Sequence, residues 1–206
     1  MSTTFVGVEI GGVRGKPRHA AVVLQRRKGG IDLRHWVSSI ASDDALLDYL
    51  ASLSGVHGVI ALHGDDPETA DQMVGRIWRV MDYRLLFALA PRHRTRALVR
   101  VAPGEVQRAF TGGNGQLLPS ALDTVRNLVP GVDFQPLIDC LNELPTGKRA
   151  HPQFHATLAA ALSAYAALWF WWHGPAGYDV LGANSDDHRL VPRLSDRQEG
   201  IDLCQL

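Results

Sequence analysis

The chain predicts an α/β domain, a mixed sheet of about five strands with helices packed on it, and three observations carry that class. Strand-like and helical segments follow one another from the N-terminus in the order β-β-β-α-β, an antiparallel meander followed by a crossover helix and a buried strand. A late segment, residues 156 to 172, contains no charged side chain. The chain has 206 residues, 46% of them hydrophobic, enough apolar surface to fold without staples.

The elements follow from local pattern. Phe5 to Ile10 is a β-type run that stops at Gly11-Gly12, and His19 to Gln25 is another, so a hairpin crosses Gly11 to Arg18. A third strand, Ile31 to Val37, follows the Lys28-Gly29-Gly30 turn. Ser42-Asp43-Asp44 supplies N-cap chemistry for a helix whose Leu46, Leu47, Leu50 and Leu53 fall at helical spacing. Val56 to Leu62 returns as an apolar strand. Asp66 then suits the N-cap and Pro67 the first position of a helix running to about Met81. Strands at Arg84 to Ala88 and Ala97 to Val101 come next, with a short helix from Pro103 to Phe110 and a loop at Thr111 to Gly115. Helices are expected at Ser120 to Leu128, Pro136 to Glu143 and Pro152 to Trp172, and a last strand at Arg189 to Pro192. With no internal repeat and no low-complexity linker, residues 1–206 read as one domain.

Composition excludes several classes. Cys140 and Cys204 form neither a zinc-ligand spacing nor a disulfide framework. Met1 to Phe5 lacks the features of a secretory signal, which points to a cytoplasmic protein. The apolar stretch from Ala156 falls at the short limit for a membrane span and is diluted by Thr157, Ser163 and Tyr165, so it reads as a core helix with no membrane partner. Its end, Trp169 to Trp172, is expected at a core edge or a homo-oligomer contact. Net charge is zero, with 21 basic and 21 acidic residues, but the charges are segregated. Residues 13–36 and 76–100 are each strongly basic, whereas residues 37–75 hold acids and no base. Such stretches supply phosphate contacts to nucleic acid when they share a face.

Glu9 stands within the first strand, immediately before the Gly11-Gly12 turn. Val6-Gly-Val-Glu-Ile-Gly-Gly12, Gly58-Val-Ile-Ala-Leu-His-Gly64, Val99-Arg-Val-Ala-Pro103, His155-Ala-Thr-Leu-Ala-Ala-Ala161 and Asp187-His-Arg-Leu-Val-Pro192 together resemble an uncharacterised bacterial family of predicted nucleases with a ribonuclease H-like fold. The resemblance implies metal-dependent phosphodiester hydrolysis, in which carboxylates gather Mg2+ or Mn2+ around the reacting phosphate. Carried onto this chain it makes Glu9, Asp65 and Asp66 the catalytic acids, and Glu9, Asp65 and His63 the metal ligands. Arg14 or Arg100 would contact phosphate.

The chain departs from the family pattern in three places: Glu9 stands where Asp is usual, Arg100 where a strand-borne acid is usual, and Ala156 where the late helix tends to carry Asp. No Asp or Glu occurs from Leu144 through Tyr178. The two-metal site is therefore reduced, and a non-catalytic descendant that binds nucleic acid or a protein partner stands as the alternative.

Other clusters have simpler explanations. His151 and His155 stand at i, i+4, but Pro152 places His151 before the helix. Asp186-Asp187-His188 is ordinary turn chemistry before a strand. The Gly11-Gly12 turn also resembles a phosphate loop of actin-like ATPases, whose two-domain nucleotide site this length does not accommodate.

Overall fold

The computed structural model describes residues 3–13, 16–28, 30–53, 57–64, 66–86, 96–111, 133–143, 152–182 and 188–193. Its strands are β1 (Thr3–Ile10), β2 (Gly12–Val13), β3 (Lys16–Pro17), β4 (His19–Arg27), β5 (Gly30–Ile40), β6 (His57–Gly64), β7 (Arg84–Leu85), β8 (Ala97–Arg100), β9 (Tyr178–Leu181) and β10 (Arg189–Pro192). Its helices are α1 (Asp43–Ser52), α2 (Pro67–Met81), α3 (Pro103–Thr111), α4 (Gln135–Glu143) and α5 (Pro152–His173). A 3-10 turn, Gly174–Gly177, links α5 to β9.

Six strands form one mixed sheet in the order β5-β4-β1-β6-β8-β7. The first three are antiparallel, and β1, β6, β8 and β7 are mutually parallel. The expected count was five; the sixth is Arg84–Leu85, which pairs in parallel outside β8. Arg189–Pro192 does form a strand, but it pairs with β9 in a separate ribbon and reaches the main sheet's vicinity through a bridge from Leu190 to Val101. Tyr178–Leu181, for which no strand is expected from the sequence, forms β9. The helix expected at 120–128 lies outside the described residues.

Alternation along β1 divides the core in two. Phe5, with Ala20, Val22, Leu24, Val59, Ala61, Ala97 and Val99, faces α5, while Val6, Val8 and Ile10 face α1 and α2. The second layer is closed by Leu46, Leu47 and Leu50 of α1 and by Ala70, Met73, Ile77 and Met81 of α2. Ser42 caps α1, its hydroxyl accepting from the Ala45 amide at 3.1 Å.

Helix α5 is buried on every side from Thr157 to Trp171, which explains why it shows no amphipathic stripe. By length and composition α5 with its 3-10 turn could cross a membrane; 83% of its apolar window is buried inside the domain. Its two buried hydroxyls bond back along the helix, Thr157 to the Gln153 carbonyl at 2.6 Å and Ser163 to the Ala159 carbonyl at 2.8 Å. The aromatic end sits in the core: Trp169 Nε1 donates to the Gly177 carbonyl at 2.8 Å, and Trp171 meets Phe5 edge to face.

Candidate functional site

The parallel register of β1 and β6 sets Glu9 opposite His63. Neighbours in parallel strands lie about 4.8 Å apart and point to the same side, so the two side chains meet. His63 Nδ1 and Glu9 Oε2 are 2.7 Å apart. Glu9 is buried at 6% exposure, while His63 is partly open to solvent. An ionised carboxylate only accepts, so with Glu9 ionised the bond runs from the Nδ1 proton of His63 to Oε2.

Both groups lie on the α5 side of the sheet. A close approach there is enabled by Gly7, two residues before Glu9, where a Cβ would collide with the backbone of Ala160 and Ala164. Since Phe5 meets Trp171 near the end of α5, the helix runs antiparallel to β1. Glu9 therefore lies toward the start of α5, the turn that holds Ala156.

At the carboxyl ends of β6 and β8 a small cleft is lined by His63, Gly64, Pro67, Arg100, Val101 and Arg189, among others. Crevices beyond the carboxyl ends of parallel strands are the usual ligand positions of open α/β sheets. Arg189 reaches this place because Leu190 bridges to Val101. Sequence reasoning did not select Arg189, although it lies within the Asp187 to Pro192 motif.

The other candidate residues have separate placements. Asp66 is the exposed N-cap of α2; its carboxylate accepts from the Thr69 amide at 3.1 Å and from the Thr69 hydroxyl. These bonds, the hydroxyl's foremost, hold its pKa below the ordinary carboxylate value. Arg100 is in register with Leu62, not with His63, and so projects to the α2 side, where it pairs with Asp71. Asp65 and Arg14 lie outside the described residues, as do His151, Asp186, Asp187 and Cys204. Thus Glu9 and His63 converge, Arg100 lines the same cleft as His63 while paired with Asp71, and Asp66 caps α2. Among the described residues no group of three or more His, Cys, Asp or Glu side chains is arranged to hold a metal ion.

A second polar pair went unanticipated. His19, at 1% exposure, has its Nε2 2.9 Å from Asp43 Oδ1, and Asp43 is also within 3.3 Å of Arg76. Burial pushes the His19 pKa below its usual value, against the opposing pull of Asp43. Nothing in the spacing of residues 19, 43 and 76 announces this cluster, because three different elements assemble it. Comparison with known proteins gives no match to a family model, to a curated protein or to a solved structure.

Proposed function

We propose that the chain is a ribonuclease H-like domain related to predicted nucleases, and that it hydrolyses phosphodiesters of nucleic acid at the Glu9 and His63 pair. The fold part of this reading is supported by the strand order β5-β4-β1-β6-β8, a meander continued by two parallel strands, with the long α5 against β1. The observation that carries the chemistry is the buried Glu9 carboxylate bonded to His63 at the carboxyl end of the central strands. With Nδ1 held by Glu9, His63 Nε2 takes the proton from a water attacking phosphorus, and the carboxylate stabilises the imidazolium that results. Arg189, lining the same cleft, would hold a phosphate oxygen.

Mg2+ or Mn2+ belongs to the same proposal. Such ions keep several waters and accept as few as one or two protein carboxylates, a demand that one buried carboxylate with an orienting partner meets. Glu9 would hold the ion, His63 would orient the carboxylate, and Asp65 follows two residues after His63 in sequence. When bound, the cation neutralises charge on the phosphate.

The deciding experiment is Mn2+ calorimetry on wild type and Glu9→Gln, with cleavage of single-stranded and duplex RNA and DNA followed in parallel. Metal binding and cleavage in wild type, both lost in the variant, are expected. Absence of both from wild type removes the hydrolase reading. The non-catalytic binding domain is the second reading, favoured by the commitment of Asp66 to its helix cap and of Arg100 to Asp71. It predicts nucleic-acid binding without cleavage.

A further inference from the structure

The buried stripe of α2 runs through Ala70, Met73, Ile77 and Met81, which turns Trp78 and Val74 toward the β7 edge of the sheet. There Val74, Gly75, Trp78, Arg84 and Leu85 line an apolar cleft. Its floor is open because Gly75 has no side chain, and a Cβ there would meet nothing within 4 Å. Trp78 is 59% exposed, an unusual place for the largest apolar side chain.

The charges around the indole select its ligand. Arg76 is taken up by Asp43 and Asp44, Arg96 by the Met81 carbonyl and the Tyr83 ring, and Arg100 by Asp71. Arg79 and Arg84, both exposed, make no ion pair among the described residues. Of the acids on α2, Asp71 is taken up by Arg100 and Asp82 is the exposed C-cap. An open aromatic side chain with Arg84 in the same cleft and Arg79 next to it on α2, both without an ion pair among the described residues, matches a single nucleic-acid strand, whose bases stack on the ring while its phosphates take the cations. The core of a protein interface is instead depleted in charge.

We propose that Trp78, Arg79 and Arg84 form a stacking platform for single-stranded nucleic acid. The proposal deepens the nucleic-acid reading above and rests on it for the class of ligand. From Pro67 to Trp78 the axis of α2 covers about 17 Å at the helical rise. A strand stacked on Trp78 and following α2 therefore arrives at the cleft beside His63.

The test is titration of the full chain with oligo(dT) and oligo(U), without divalent metal, by fluorescence anisotropy over a range of salt. Variants are Trp78→Ala, Trp78→Phe and Arg79→Ala/Arg84→Ala, with thermal melts to show that each is folded. Trp78→Ala should weaken binding about tenfold, within the range for one stacked base, and Trp78→Phe should restore most of it. The double arginine variant should lower the log-log salt slope by about 1.4, the value for two phosphate contacts on a single strand. Unchanged affinity and slope in folded variants overturn the platform, whether or not Glu9-dependent cleavage is found. Weakened binding in Trp78→Ala, restored in Trp78→Phe, in a protein that does not cleave upholds the platform and removes the hydrolase reading alone. Failure of wild type to bind either strand, or a dimer that Trp78→Ala dissociates without any nucleic-acid binding, overturns the proposal and assigns the patch elsewhere.

Discussion

A methyl group on Gly7 would overlap the carbonyl oxygen of Ala160 and the amide nitrogen of Ala164. Both are backbone atoms of a buried helix and cannot swing aside as a flexible side chain would. Gly7→Ala should therefore cost about 3 kcal/mol, the upper range for overpacking, as read by urea unfolding. Tyr165 is the opposite case, since its buried hydroxyl has no hydrogen-bond partner among the described residues and burial raises its pKa well above the usual value. Tyr165→Phe removes that desolvated group and should be neutral or stabilising by up to about 1 kcal/mol on the same measurement. Asp66 stabilises through its charge on the Thr69 hydrogen bonds, and its folded pKa lies below 3.8. The contribution is thus present above that value and fades as pH falls through the folded pKa. Melting curves of wild type and Asp66→Ala should separate near pH 7 and converge in acid, below the folded pKa.

The elements differ in how plainly the chain announces them. Helix α2 carries its own start and its own stripe, because Asp66, Pro67 and the apolar spacing are local signals. Helix α5 has no stripe at all, and its length and position are legible while its neighbours are not. Its alanines let it lie close on β1, so a larger side chain in that layer has nowhere to go. Ala164→Leu should cost about 1–3 kcal/mol, measured by calorimetric or chemical unfolding. Strand β9 was invisible because its residues are mostly exposed and its existence depends on pairing with β10. The strand expected at Arg84 to Ala88 is present as the short β7, and its parallel pairing outside β8 brings the sheet to six strands, not five.

At the scale of the molecule, acid sensitivity is built into two imidazoles, one buried and one half-buried. His19 lies between β4 and the start of α1, and His173 ends α5 against Trp169 with ring centroids 4.1 Å apart. Burial lowers both pKa values below 6.5. The unfolded chain then binds protons that the folded chain does not, so stability falls as pH drops below about 6.5 and levels off beneath the folded pKa values. Urea midpoints measured from about pH 8 to pH 5 should decline through that window. Replacing His173 with Gln should flatten the decline, and a profile unchanged by that substitution would assign the acid sensitivity to other groups.

The sequence by itself determined the α/β class, the caps of α1 and α2, and the position of Glu9 in the first strand just before the Gly11-Gly12 turn. Each is written in contiguous residues, where periodicity and capping chemistry act over a few positions. Tertiary structure decided that Glu9 meets His63, that Arg100 turns to Asp71, that His19 finds Asp43, and that Arg189 enters the cleft. Those contacts depend on strand register and on which face of the sheet a side chain takes. A shift of one residue reverses the face, and no short stretch of this chain fixes that choice alone.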